Sequence, residues 1–172
     1  TLFRSGYLKE EPRDQLYPED AYDTPQNVYL NTVASLYNYI GGYSDSQGLQ
    51  GTYRGVYDLN TFTTDEAMLP TRGGDWYDGG FWQGLFLHKW GTNSDAIQAT
   101  WEYLYKVIVL SNQSLEILGE LRQKTDYNDL DRYEAEVRAF RAMYYYYLVD
   151  MFGRVPRIVS SSIPVKYVRQ SD

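Results

Sequence analysis

The sequence of 172 residues contains no cysteine. This absence excludes disulfide bonds, thiolate catalysis and cysteine-based zinc or iron–sulfur sites. Histidine occurs once, as His88. A lone imidazole is more often a packing or capping group than a catalyst, and it leaves a histidine-based metal site without further ligands. EF-hand and phosphate-binding glycine motifs are also missing. The sequence therefore predicts a protein without a metal or cofactor.

Long hydrophobic runs are missing as well. The longest are a handful of residues, such as 107–110, whereas a membrane-spanning helix needs ~18. The chain starts Thr1-Leu2-Phe3-Arg4 and no apolar core follows, unlike a secretory signal peptide. We therefore expect a chain that is soluble as given, and we interpret its start as trimmed.

Basic residues are in short supply. Lys and Arg total 16 against 23 Asp and Glu, which gives a formal net charge of −7. The deficit is confined to residues 1–86, which hold 5 basic and 12 acidic groups. Such a surface repels phosphate backbones, which argues against a nucleic-acid partner. The apolar fraction of 43% is typical of one packed domain.

Aromatic residues are abundant: 19 Tyr, 6 Phe and 4 Trp make up 17% of the chain. Tyr and Trp combine an apolar face with a hydrogen-bonding group, which suits cores, interfaces and ligand clefts alike. The aromatic content by itself therefore predicts either packing or recognition.

The pattern of apolar residues and glycines divides the chain into five parts. They are an extended lead-in (1–24), a helix (25–41), a glycine-dense stretch without clear periodicity (43–92), a helical hairpin (95–153) and an irregular tail (154–172). Thr24 and Pro25 read as a helix N-cap and first position. Asp95 and Gln98 read as a capping box. For residues 158–172 we expect no cap or partner.

The last predicted helix has two apolar stripes. One is Leu130, Tyr133, Val137, Phe140, Tyr144, Leu148 and Met151; the other is Ala135, Ala139, Ala142, Tyr146 and Val149. A helix that is apolar on two faces must be covered on two sides. We therefore expect Ala139 to be buried together with Tyr144, Phe140 and Leu148, so that Ala139→Glu would be strongly destabilising. The sequence predicts only two other helices to cover these two faces. We therefore interpret the chain as part of a larger fold.

Residues 136–156 resemble the signature of the SusD/RagB family. The signature begins with a Glu-x-Arg-x-x-Arg-Ala pattern, matched here by Glu136, Arg138 and Arg141, and continues through an aromatic run at 144–147 to a Phe-Gly-x-x-Pro ending at 152–156. Weaker similarities follow in the same order along residues 8–157. The resemblance implies a mostly α fold in which tetratricopeptide-like helix pairs pack against a long, irregular, loop-rich region, of which this chain is an N-terminal portion.

The resemblance also implies a function. Members of this family are lipoproteins on the outer face of the outer membrane of Bacteroidota, where they bind glycans or other nutrients. They deliver the ligand to a TonB-dependent, SusC-like transporter and are not enzymes. The lipid-anchored cysteine of the family is absent from this sequence. The motif around Glu136, Arg138 and Arg141 is interpreted as structural, with Glu134 and Arg138 paired at i, i+4.

Residues 65–93 form the candidate ligand surface. Six aromatic residues fall within 15 positions, among carboxylate, amide and guanidinium groups. A sugar presents C–H faces ringed by hydroxyls, so stacking rings and bidentate polar groups match its chemistry. We predict Trp76, Trp82 and Trp90 as stacking rings and Asp65, Arg72 and Asn93 as hydroxyl partners. The competing interpretation is that these aromatics anchor a long loop to the helices.

Two other functions stay open on the sequence alone. One is a glycoside hydrolase fragment that uses Asp65 or Glu66 with Asp75 or Asp78, although nothing in the sequence fixes their separation. The other is a helical-repeat scaffold that binds only protein. Non-catalytic glycan binding is the function that we predict.

Overall fold

The computed structural model describes residues 20–41, 48–49 and 55–162 of the chain. Within these residues the chain is helical and forms no sheet, which confirms the predicted mostly α fold. The pairing of helices in a tetratricopeptide-like manner stays a prediction. The predicted lead-in lies outside the described residues except for 20–24, where Asp20–Tyr22 forms one 3-10 turn.

The first helical stretch follows its predicted cap. Helix α1 (Pro25–Tyr29) begins after Thr24, whose hydroxyl oxygen accepts from the Asn27 backbone N–H at 3.2 Å. It continues through a π-helical segment (Leu30–Ala34) into α2 (Ser35–Gly41). In the wider π turn the carbonyl of Thr32 accepts a hydrogen bond of 2.9 Å from the buried hydroxyl of Ser114. The π segment thereby joins the first helices to the hairpin.

The stretch predicted as irregular contains two short helices, α3 (Val56–Phe62) and α4 (Phe81–Phe86), with a 3-10 turn at Asp78–Gly80. The interpretation of 43–92 as a loop-rich stretch without strong secondary structure is therefore wrong for the residues of these helices. The helices are too short to show the repeated apolar spacing that identifies a helix in sequence. Residues 42–47 and 50–54 lie outside the described part of the chain.

The hairpin consists of α5 (Asp95–Lys124) and α6 (Leu130–Phe152), which pack along each other. The predicted capping box at its start is wrong. Helix α5 begins after Ser94, and Gln98 uses its side-chain amide on Glu102 at 2.8 Å. Gly153 ends α6 with φ of +73°, a conformation that glycine adopts without steric cost.

The main core lies between the hairpin and the helices α1 and α2. Its fully buried members come from each of these elements: Val28, Val33, Leu36, Leu104, Val107, Ile108, Leu118, Val137, Tyr144 and Leu148. In its centre the hydroxyls of Tyr103 and Tyr144 lie 2.8 Å apart, and Tyr103 also donates to the backbone carbonyl of Tyr39. Burial, the largest effect, raises the pKa of Tyr144 to about 12. Both phenols are therefore uncharged at neutral pH.

Only one of the two apolar stripes of α6 faces this core. Tyr133, Val137, Phe140, Tyr144 and Leu148 are buried as predicted. The alanine stripe is exposed on the described part of the chain, so the prediction that Ala139 is buried is wrong, and with it the expected cost of Ala139→Glu. Helices α1, α2 and α5 all pack on the opposite side of α6 from this stripe.

The segment that follows α6 is held by side chains of the hairpin. The Tyr105 hydroxyl donates to the Pro156 carbonyl at 2.7 Å, and the Tyr145 hydroxyl exchanges hydrogen bonds with the N–H and carbonyl of Ile158 at 2.6 and 2.9 Å. Glu116 accepts from the backbone N–H of Ser161 at 2.9 Å, and hydrogen bonds from Ser161 and Ser160 lower the pKa of Glu116. The prediction that 158–172 lacks partners is therefore wrong for 158–161; residues 163–172 lie outside the described part.

Two neighbouring residues of α6 test which face carries the stability of this chain. Leu148 is fully buried, whereas Val149 is 54% exposed. We expect Leu148→Ala to lower the free energy of unfolding by about 2–5 kcal/mol, because it leaves a cavity in the core. Val149→Ala should change it by less than about 0.5 kcal/mol. Urea denaturation of both variants measures the difference, and equal losses would contradict the orientation of α6.

Tyr37 on α2 provides a test of the contact between α2 and α6. Its hydroxyl donates to Oε1 of Glu136 at 2.5 Å, and this hydrogen bond is the largest of the effects that raise the pKa of Tyr37 to about 12. Because a phenolate would lose this bond and face a carboxylate, Glu136→Gln should lower the pKa of Tyr37 towards ~10. NMR titration of 13C-labelled tyrosine, with Tyr37→Phe to identify the signal, measures it. Glu134→Gln is the matched control, since Glu134 pairs with Arg138 instead.

Candidate functional site

The aromatic segment 65–93 is attached to the hairpin by a small second core. Its buried members are Leu59 of α3, Trp82 and Leu85 of α4 and Ala96 of α5, with Met151 of α6 packed against them. Four helices therefore meet beneath the segment. This core fixes the position of the backbone from which the exposed rings project.

Trp82 belongs to this core and offers no face to a ligand. It is 3% exposed and contacts the rings of Phe62 and Phe81 edge-on, with centroids 5.1 and 5.0 Å apart. Its indole N–H donates to Oδ2 of Asp78 at 3.1 Å. The assignment of Trp82 as a stacking ring is corrected here: the alternative, that aromatics anchor the segment to the helices, holds for this residue.

Trp90 is exposed to 44% and lines two hollows. The first, the Trp90 hollow, has a volume of about 320 Å³ and is formed by residues of 79–85 and 89–94, with Asn93 and Lys89 at its polar side. The second has about 290 Å³ and lies between α3, Trp90 and the end of α6, including Asp150 and Met151. Trp90 and Asn93, both predicted from the sequence, are therefore brought together.

Trp76 lies in a separate hollow, the Trp76 hollow, of about 380 Å³ formed by residues 74–78. Trp76 is 57% exposed, and Asp75 and Asp78 line the same hollow. The Trp76 hollow lies next to the Trp90 hollow, because Gly80 of the Trp90 hollow is close to Tyr77 of the Trp76 hollow. A Cβ added at Gly80 would lie 3.8 Å from the hydroxyl oxygen of Tyr77. An indole and carboxylates in one concave surface match the C–H faces and hydroxyls of a sugar.

Arg72 and Asp65 take different places. Arg72 and Asp75 close a tight turn by two backbone hydrogen bonds of 3.3 and 3.0 Å, with Gly73 and Gly74 at positive φ between them. The turn puts exposed Arg72 next to the Trp76 hollow. Asp65 is exposed just after α3 and lines neither hollow. The six predicted ligand residues are therefore divided. Trp90 and Asn93 share one hollow, and Trp76 and Arg72 lie at the neighbouring one. Asp65 is apart from both, and Trp82 is in the second core.

Within the described ranges, three residues other than glycine have positive φ, and all lie in this segment: Trp76, Asp78 and His88, at +59°, +46° and +54°. Such conformations cost on the order of 1–3 kcal/mol each and persist where surrounding contacts enforce them. Nε2 of His88 donates to the Thr63 carbonyl at 2.7 Å, and the His88 ring lies 5.3 Å from that of Trp90. His88 thus acts as the expected packing group and supports Trp90.

Two lining residues were not predicted as ligand groups. Lys89 and Ser94 border the Trp90 hollow with Asn93. The Gly79-Gly80 pair before Phe81 is the sequence signal that could have indicated this hollow, since both glycines have positive φ and turn the chain into α4.

Among the described residues no group of three or more potential ligands is placed to hold a metal ion. None of the described helices is long and apolar enough to cross a membrane.

The comparisons with known proteins point in one direction. The sequence model of a SusD-like family, described as "Starch-binding associating with outer membrane", matches residues 17–171. The chain is similar to the starch-binding protein SusD of Bacteroides thetaiotaomicron, with 27% identity over 122 residues, which are 70% of this chain and 20% of that protein. It therefore spans about a fifth of the length of this curated relative. No solved structure matches.

Replacing two tryptophans in turn tests the division between core and surface. Trp82→Ala should lower the free energy of unfolding by about 3–5 kcal/mol, because it empties the second core. Trp90→Ala should cost less than about 1 kcal/mol, since nearly half of its ring is exposed. Chemical denaturation measures both. A Trp82→Ala variant as stable as the wild type would contradict the packing of this core.

Proposed function

The chain belongs to the SusD-like family, and on that premise we propose that it binds a glycan through the exposed rings and polar groups of residues 72–94. The family description and the relative's name both refer to starch binding and make an α-glucan the first ligand to test. The observation that carries the proposal is Trp90, an exposed indole that lines two adjoining hollows. Asn93 and Lys89 would hydrogen-bond hydroxyls at the Trp90 hollow. Asp75 and Asp78, with Arg72 next to them, would do so at the separate Trp76 hollow.

We propose further that binding is non-catalytic. The carboxylates considered for hydrolysis, Asp65, Glu66, Asp75 and Asp78, are all exposed. A glycosidase general acid needs a raised pKa, which apolar burial of the carboxyl group usually supplies. Exposed carboxylates instead suit hydrogen bonds to sugar hydroxyls.

The cellular role that we propose follows from the family. The whole protein would be held on the outer face of the outer membrane by a lipid anchor outside this sequence and would pass its ligand to a TonB-dependent, SusC-like transporter. The family's association with the outer membrane supports this role.

Binding of maltoheptaose to the full-length protein tests the glycan surface. Trp90→Ala should weaken binding about tenfold, or about 1.4 kcal/mol, because a stacked ring supplies much of the contact area in such sites. Trp76→Ala should weaken binding less than Trp90→Ala does. Trp76 lines only the neighbouring Trp76 hollow, whereas Trp90 lines two hollows. Isothermal titration calorimetry measures both, and the reducing-end content of the mixture should stay constant.

Leu87→Ala is the matched control. Leu87 is an exposed apolar residue of the same segment that lines neither hollow, so its removal should leave the affinity unchanged. If Trp76→Ala and Trp90→Ala both fold and bind every glycan as the wild type does, the surface is wrong. If reducing ends accumulate with the wild-type protein, the non-catalytic assignment is wrong.

A further inference from the structure

A pocket of about 280 Å³ lies between α6 and the segment that follows it, apart from the aromatic segment. Three arginines line it: Arg138, Arg141 and Arg157. Its remaining wall is largely apolar and includes Val149, Val155 and Val159. We name it the arginine pocket. Three guanidinium groups around one small cavity are unusual in a chain with a net charge of −7.

The fold brings these arginines together by two routes. Arg138 and Arg141 are three positions apart on α6 and so share a face of the helix. Arg157 arrives from the segment after Gly153, where buried Val155 and the Tyr145–Ile158 hydrogen bonds hold the backbone against α6. The position of Arg157 is thus fixed on both sides by contacts with the hairpin.

Two of the three charges in the pocket have no carboxylate partner among the described residues. Arg138 pairs with Glu134, its Nε lying 2.9 Å from Oε1. Arg141 donates to the neutral side chain of Asn112 at 2.7 Å. Among the ion pairs of the described residues none involves Arg141 or Arg157. On the described part of the chain, the charges of Arg141 and Arg157 therefore lack a carboxylate partner.

The effect of the neighbouring positive charges is seen at the half-buried Arg141. Burial lowers its pKa, and the charges of Arg138 and Arg157 lower it further. Like charges held together in a partly desolvated pocket are relieved by an anion between them. A guanidinium fork offers such an anion paired, parallel hydrogen bonds.

We propose that the arginine pocket binds a carboxylate attached to a small, partly apolar body. The valines and the ring of Tyr145 would contact the body, while Arg141 and Arg157 would hold the carboxylate. A carboxylate carries one charge and is less costly to remove from water than a doubly charged phosphate, which suits an apolar wall. The carboxylate can come from a free acid, such as a uronic sugar, or from an acidic side chain elsewhere in the same polypeptide. None of these residues belongs to the glycan surface, so the two proposals fail or hold independently.

Arg157→Gln in the full-length protein is the decisive variant. Arg157 is exposed and has no carboxylate partner among the described residues, so its replacement should leave the fold intact. With sodium glucuronate as the probe, calorimetry at low salt should show binding by the wild type that weakens about tenfold in Arg157→Gln. Glucose, which has the same ring without the charge, should not compete. Arg132→Gln, an exposed arginine of α6 paired with Asp129 outside the pocket, should bind glucuronate as the wild type does.

The same variants separate the two sources of the carboxylate. If the polypeptide's own side chain fills the pocket, the wild type will not bind glucuronate, and Arg157→Gln will lower the melting temperature while Arg132→Gln does not. Glucuronate binding that Arg157→Gln leaves unchanged would overturn the proposal. So would the absence of binding together with an unaltered melting temperature in Arg157→Gln.

Discussion

Irregular backbone in this chain depends on tyrosine hydroxyls of the helical hairpin. Buried backbone carbonyls and N–H groups must find partners, and outside helices the backbone supplies few. Tyr105 reaches the carbonyl of Pro156, and Tyr145 reaches both polar groups of Ile158. Tyr103 reaches the carbonyl of Tyr39 in the last turn of α2. Tyr127 similarly donates to the carbonyl of Asp23 at 2.6 Å. The ring of each residue packs on the helices while its hydroxyl satisfies a distant segment. On the described part of the chain, tyrosines thus hold the segments before α1 and after α6 against the hairpin without a sheet, and the sequence has no cysteine for disulfides.

The parts of the fold that could be predicted from the sequence are those with a repeated or local signal. The hairpin was predictable because long helices repeat their apolar spacing many times, and the Thr24 cap and the Gly153 end have local causes. The failure at Ala139 has a different origin. A small apolar residue on a second stripe indicates that a face can be covered, but periodicity does not say by what. The other helices of this chain pack on one side of α6, so the alanine stripe is exposed on the described part.

The candidate site was predictable in composition but not in orientation. Trp82 and Trp90 are equally good stacking rings in sequence, yet one is in a core and the other exposed. What separates them is the direction in which each residue leaves the backbone, and that depends on positive φ angles at Gly79, Gly80 and His88. Residues with positive φ do not recur at a fixed spacing. The apolar periodicity that identifies helices therefore does not predict where these turns lie. The second core then holds these turns in place, because α4 is attached to α5 and α6 through it.

Helix α6 borders surfaces of opposite charge, and this separation bears on ligand choice. Asp150 and the end of α6 line the hollow beside Trp90, while Asp75 and Asp78 stand at the Trp76 hollow. A carboxylated sugar placed beside Asp150 would meet like charge, which disfavours it there relative to a neutral sugar. On the other face of α6, Arg138, Arg141 and Arg157 present the complementary field. Burial of Arg141 strengthens this field, since a partly desolvated guanidinium is screened less by water and salt. Under the two proposals, the hollow beside Asp150 would favour neutral hydroxyl-bearing groups and the arginine pocket carboxylate-bearing ones, because the charges that line them have opposite sign.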